Sequence, residues 1–176
     1  MDTWFQGTNE CKVDGKGRVS LPAKFRRALQ AGDARCAPGE APRLFIAYGE
    51  PDVDFVECLS GDAFDELSAN IQAMPQGEED REILEILYFS LCDEVQVDDT
   101  GRFVLPGPAR ERLNLDGAAI FQGKGTTFRI LKPADSEATK DRLAEMLARK
   151  RGDKEFFRPI SLANPAKPTP VTEHET

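Results

Sequence analysis

The chain of 176 residues has one histidine, one tryptophan and two tyrosines, and no apolar stretch near the roughly 18–20 residues that a membrane span needs. Its single imidazole, His174, sits in a tail rich in proline and threonine, so no His-based acid/base pair or His-activated nucleophile is expected. Cysteine is also scarce. Cys11, Cys36, Cys58 and Cys92 are far apart and never form the close pairs of structural zinc sites, so neither a metal nor another cofactor is expected. The opening Met1-Asp2-Thr3-Trp4-Phe5-Gln6-Gly7 has no basic segment followed by an apolar one, which makes the cytoplasm the default location. Positive charge is in deficit, with a net of −8, and this argues against a nucleic-acid partner unless the cations cluster.

What the sequence does have is a repeat. Val13-Asp14-Gly15-Lys16-Gly17-Arg18-Val19-Ser20-Leu21-Pro22 aligns with Val97-Asp98-Asp99-Thr100-Gly101-Arg102-Phe103-Val104-Leu105-Pro106, 84 positions on, and the match continues through Arg26/Arg110 and Leu29/Leu113. Two small modules follow, each needing support from packing against a neighbour. In each copy a strand ends at the aspartate, two residues turn, the glycine takes the positive-φ position and the arginine opens the returning strand. Asp14 and Asp98 are placed to accept backbone N–H bonds, so with Gly17 and Gly101 they are expected to build the turns. Val19 and Leu21 alternate with Arg18 and Ser20, which sends one face into a core and leaves Arg18 outside. Pro22 and Pro106 stop the strands and open short helices, the first with Phe25 and Leu29 on its apolar face.

Residues 44–48 with 55–59, and 118–121 with 127–131, read as two further hairpins. Gly123-Lys124-Gly125-Thr126 fails the spacing of a phosphate-binding loop and reads as the second hairpin's turn. Residues 31–43 form a loop that the second copy lacks. Helical periodicity marks Ala63, Phe64, Leu67 and Ile71, then Ile83, Leu84, Ile86, Leu87 and Leu91, then residues 136–151 from a capping-type start at Ser136. Trp4 and Phe5 are expected to be packed aromatics. The expected organisation is a first module over residues 4–60, connecting helices over 61–93, a second module over 94–134, a C-terminal helix over 135–151 and a disordered tail over 152–176.

The cations do cluster. Residues 11–29 hold Lys12, Lys16, Arg18, Lys24, Arg26 and Arg27 against Asp14 alone, a net of +5, whereas residues 95–113 balance Arg102, Arg110 and Arg112 against Asp98, Asp99 and Glu111. A guanidinium on an exposed turn can bind phosphate or hydrogen-bond guanine O6 and N7 together, and it can equally brace its own turn.

These residues resemble the MraZ family: two Asp-x-x-Gly-Arg modules, an initial Phe5-x-Gly7, and the run Asp14-Gly15-Lys16-Gly17-Arg18-x-x-Leu21-Pro22-Ala23-Lys24-Phe25-Arg26. The similarity spans roughly residues 4–150. It implies an α+β, mostly β fold of two tandem AbrB-like swapped-hairpin modules, forming an intramolecular pseudo-dimeric barrel with connecting and C-terminal helices. It further implies ring-shaped homo-oligomers, no membrane association, and sequence-specific binding of double-stranded DNA at short G-rich direct repeats on the nucleoid. Control of the division and cell-wall gene cluster, including the family's own gene, comes with that resemblance. Carried over by position, Arg18 and Arg102 are the DNA-facing arginines, with Lys16, Lys24, Arg26 and Lys12 as supporting cations. The sequence departs from the family pattern at Gln6, where a basic residue is common, at Phe128-Arg129-Ile130, and in the extension beyond residue 158.

Two other readings compete. An AbrB-type antitoxin would bind DNA and use residues 152–176 to hold a toxin, but such antitoxins usually carry one motif copy per chain. An enzyme built on Glu78, Glu79 and Asp80 is less well supported, because that cluster suits the N-terminus of a solvated helix.

Overall fold

The computed structural model describes residues 4–152. The tail expected over residues 152–176, His174 included, lies outside them except for Gly152. The chain divides into two compact units, Met1–Glu137 and Ala138–Thr176.

The first repeat supplies β1 (Thr8–Lys12), β2 (Arg18–Ser20), α1 (Ala23–Ala31), β3 (Arg43–Ala47) and β4 (Phe55–Ser60). Then come α2 (Gly61–Ala73), α3 (Glu79–Glu85) and a π-helical turn, Ile86–Ser90, closed by the Leu91 N–H reaching back to the Ile86 carbonyl at 2.9 Å. The second repeat supplies β5 (Cys92–Gln96), β6 (Arg102–Val104), α4 (Gly107–Leu113), β7 (Ala118–Gly123) and β8 (Thr127–Leu131). The last helix among the described residues, α5 (Pro133–Lys150), starts before the expected Ser136, since Pro133 is preorganised for a first helical position. No helix among the described residues is long and apolar enough to cross a membrane.

All ladders are antiparallel, and they interleave the repeats. β1 pairs with β7, from Thr8 opposite Gln122 to Lys12 opposite Ala118, and β5 pairs with β3, from Gln96 opposite Arg43 to Cys92 opposite Ala47. The two local hairpins form as read from the sequence, β3 with β4 and β7 with β8, and β4 joins β8. The sheet order is therefore β1-β7-β8-β4-β3-β5, which is unchanged when the repeats are exchanged about an axis between β4 and β8.

The returning strands depart from the simple hairpin reading. β2 does not ladder with β1; it pairs with β6 in a separate ribbon, Val19 opposite Phe103. That pairing sets both apolar side chains on one face, over the sheet. The strand ladders leave β1 and β5 as edges and do not close into a barrel among the described residues. The ribbon strands, stopped at three residues ahead of Pro22 and Pro106, ladder with each other and not with those edges.

The core is shared by the two repeats. Val19 and Phe103, Leu21 and Leu105, Phe25 and Ala109, and Leu29 and Leu113 are equivalent pairs, and all are buried in one cluster with Ile46, Val56, Phe121 and Phe128. Two of these pairs are identical, Leu21 with Leu105 and Leu29 with Leu113, and two differ in volume in opposite senses, Phe25 with Ala109 and Val19 with Phe103, which keeps the total carried by each repeat similar. Phe5 completes the cluster, 5.4 Å from Phe25 and 4.8 Å from Phe128 between ring centroids. Its backbone bridges Gly125, and a Cβ at Gly123 would strike it, so Gly123 has a packing reason and Gly125, at φ +83°, a conformational one. Trp4 does not pack as expected and is exposed, because successive side chains of an extended chain alternate faces and Phe5 takes the inward one.

On the other face of the sheet, Phe64 of α2 stacks on Phe45 of β3 at 3.8 Å. Ser60 caps α2 by accepting from the Ala63 N–H. The loop unique to the first repeat places Asp33 in a buried ion pair, with Arg43 Nη2 2.7 Å from Asp33 Oδ1 and 3.0 Å from Asp65 Oδ2. Burial opposes the Asp33 charge, but the Arg43 hydrogen bonds outweigh it and hold this carboxyl below its ordinary range. Arg81 is buried too, its Nη1 donating to the Met74 carbonyl at 2.6 Å and so satisfying the end of α2. Glu78 stands at the N-cap position of α3 without a side-chain capping bond, and Glu79 and Asp80 lie in its first turn.

Candidate nucleic-acid interface

The two Asp-x-x-Gly-Arg turns close in the same way. Gly17 donates to the Asp14 carbonyl and Gly101 to the Asp98 carbonyl, both at 3.0 Å. Asp14 Oδ1 accepts the N–H groups of Lys16 and Arg18, each at 2.9 Å; Asp98 Oδ1 accepts those of Thr100 at 2.9 Å and Arg102 at 2.8 Å. The Arg18 N–H is the leading cause that holds the Asp14 carboxyl below the usual range, and the Thr100 hydroxyl is the leading cause at Asp98.

The turns are also locked across the repeats. Leu21 N–H donates to the Gly101 carbonyl at 2.8 Å, and Leu105 N–H to the Gly17 carbonyl at 2.9 Å. Arg110 of α4 crosses Gly17, while its equivalent Arg26 of α1 crosses Gly101. Glycine is required twice over at these positions: φ is +78° at Gly17 and +85° at Gly101, and a Cβ would collide with Arg110 at the first and crowd Arg26 Cδ at 3.0 Å at the second. The sequence reading placed Arg26 among the supporting cations and missed this crossing. The only signal for it was that Arg26 and Arg110 recur at the repeat offset.

Strand alternation decides what the ribbon presents. Val19 and Phe103 point inward, and Arg18, Ser20, Arg102 and Val104 point outward. Arg18 stands opposite Val104 and Ser20 opposite Arg102. Because the flanking bonds run from Leu105 to Gly17 and from Leu21 to Gly101, both are the closely spaced, non-hydrogen-bonded kind of pair, with Cα atoms about 4.5 Å apart. The two arginines thus occupy diagonal corners of one outward face. The Arg18 side chain is 54% exposed, with Nε 2.8 Å from Asp14 Oδ2. The Arg102 side chain is 61% exposed; its Nε donates to Thr100 Oγ1 at 3.0 Å and lies 3.7 Å from Asp98 Oδ2. These braces run through Nε, so a guanidinium can steady its turn and still present its Nη edge outward.

The remaining cations are divided unevenly between the repeats. Lys16 is exposed in the first turn beside Arg18, where the second repeat has Thr100. Lys12 is exposed at the end of β1, and Lys24 and Arg26 are exposed on α1, with Lys24 Nζ 3.5 Å from Gln6 Oε1. Pro108 stands at the position equivalent to Lys24, so α4 lacks that charge. No group of His, Cys, Asp and Glu side chains among the described residues is arranged to hold a metal ion.

Fold and site together define a class: one chain that carries two copies of a turn-and-strand motif, interleaved about an internal axis and presenting paired arginines on a short ribbon. A family model described as "MraZ protein, putative antitoxin-like" matches residues 4–46. A protein named transcriptional regulator MraZ from Ruegeria sp. (strain TM1040) is 43% identical over 147 residues, which covers 84% of this chain and 88% of that protein. Those of the same name from Ruegeria pomeroyi and Gluconacetobacter diazotrophicus are 43% and 33% identical, covering 74% and 84% of this chain and 78% and 88% of their own. The chain belongs to the MraZ family.

Proposed function

We propose that this protein is a non-catalytic, sequence-specific transcriptional regulator that binds double-stranded DNA through the outward face of the β2–β6 ribbon. The observation that carries the reading is the placement of Arg18 and Arg102 on one exposed face, beside a segment of net +5 in a chain of net −8. Arg18 and Arg102 meet base edges or phosphates, and Lys12, Lys16, Lys24 and Arg26 hold the DNA backbone. Asp14, Gly17, Asp98 and Gly101 shape the turns that aim the two arginines. The relatives' name supports the regulatory part.

The pairing of β1 with β7 and of β5 with β3 supports reading the two modules, residues 4–60 and 94–134, as tandem AbrB-like swapped hairpins in a pseudo-dimer. The family resemblance implies short G-rich direct repeats upstream of the division and cell-wall cluster that contains the protein's own gene as the DNA targets, and a guanidinium suits the guanine O6 and N7 of such sites. The protein works in the cytoplasm on the nucleoid as a homo-oligomeric ring: one ribbon carries few cations, and linked copies on repeated sites raise effective concentration. Two motif copies in one chain favour this reading over an antitoxin that gains its second copy by dimerising.

The test is binding of the full chain to the duplex upstream of its own coding sequence, against a scrambled duplex of equal composition. Preference for the native duplex, lost in a folded Arg18→Ala, Arg102→Ala double variant, is the expected result. Equal binding of both duplexes, or full binding by the variant, refutes the proposal.

A further inference from the structure

The repeats differ at one outward position of the ribbon in a way the core does not demand. Ser20 and Val104 are equivalent, 84 positions apart, and each shares the outward face with the two arginines. Val104 is 50% exposed, whereas the inward residues of the same strands, Val19 and Phe103, are buried. Ser20 serves as an internal control: the same place in the same motif is filled by a hydroxyl, so the turn, the ladder and the core have no need of an apolar side chain there. Val104 is also held directly opposite Arg18 in a close cross-strand pair, which sets the two side chains out from neighbouring positions on the same outward face.

The DNA major groove offers one apolar group at its base edges, the C5-methyl of thymine, alongside the acceptors that an arginine reads on guanine. Serine, by contrast, can bond to any of several base edges and discriminates weakly. We propose that Val104 is a specificity-determining residue that packs on a thymine methyl beside the base contacted by Arg18. Ser20, beside Arg102, imposes no such preference, so the two halves of the ribbon read unequal sequences. This inference rests on the reading that the ribbon's outward face meets DNA.

The full chain is used to select duplexes from a random-sequence library, and each thymine of a recovered duplex is then replaced in turn by deoxyuridine, which removes one methyl and keeps the pairing. At one position the wild type loses about four-fold in affinity, the value of one methyl group removed from an apolar contact, and Val104→Ser is indifferent there. The reverse variant, Ser20→Val, gains sensitivity at a second thymine, and this keeps the proposal open to refutation even if Val104→Ser does not fold. If no thymine distinguishes the wild type from either variant while Arg18→Ala still weakens binding, Val104 makes no base contact and the proposal falls alone. If no duplex is recovered, or the Arg18→Ala, Arg102→Ala double variant binds as the wild type does, both the proposal and the DNA-binding reading fall.

Discussion

Gly17→Ala separates two costs that this turn combines. Placing an alanine at positive φ costs about 1–2 kcal/mol, and the stiffer unfolded chain offsets about 0.4–1 of that, so backbone strain alone leaves roughly 1 kcal/mol. Gly7 isolates the strain, since its φ is +91° and nothing lies within 4 Å of an added Cβ. At Gly17 the new methyl also meets Cδ and Nε of Arg110. Driving that stem off the turn gives up the burial of a methylene or two, about 1–2 kcal/mol more. The expected losses are therefore about 2–3 kcal/mol for Gly17→Ala and about 1 kcal/mol for Gly7→Ala. In an Arg110→Ala background the cost of Gly17→Ala falls back toward the strain alone. The assay is urea unfolding of the four members of the cycle at one protein concentration, followed by circular dichroism. A coupling energy under about 0.5 kcal/mol, or a Gly7→Ala loss equal to that of Gly17→Ala, refutes the claim that Arg110 sets the size of this turn residue.

The two arginines are expected to differ in DNA binding. Arg18→Ala loses roughly 5–150-fold in operator affinity and Arg102→Ala loses less, because Arg18 lies in the segment of net +5; equal losses in quantitative binding would show that both turns contact DNA alike. Affinity falls as salt rises, and Lys16→Ala reduces the magnitude of the log–log slope by about 1 without changing sequence preference; an unchanged slope would remove Lys16 from the contact surface. Asp33→Asn leaves Arg43 with Asp65 as its remaining ion-pair partner and destabilises the fold by about 2–3 kcal/mol at neutral pH in urea unfolding. The folded pKa of Asp33 is depressed, so its contribution is full above the ordinary carboxylate value and is lost as pH falls through the lowered one; the gap between wild type and variant should close in acid, and a gap constant down to pH 2–3 would contradict this.

Much of the architecture could be read in the sequence because it is local. Alternation, the positive-φ glycines and the prolines after the ribbon strands mark each turn and its helix, and the hairpins of β3 with β4 and of β7 with β8 follow from adjacent apolar runs. The pairing of β1 with β7 has no such mark: an amphipathic five-residue strand fits several apolar edges, and the choice is made by how the two repeats fill one core. The same limit hid the crossing of Arg110 over Gly17, and the outward turn of Trp4 beside an inward Phe5. The buried ion pair of Asp33 with Arg43 was invisible for a different reason, since loop composition does not tell which carboxylate the fold encloses.

Interleaving also bears on how the protein is made. A chain leaves the ribosome in order, and β3 with β4 can form as soon as both emerge. β1, however, has its ladder partner in β7, from Ala118 onward, so at about 5–20 residues per second it waits on the order of 5–20 s with both edges unsatisfied. During that interval a neighbouring nascent chain on the same message can offer a matching edge. An exchange between them would build the same sheet from two molecules, so translation speed and messenger crowding bear on whether each molecule keeps its own first strand.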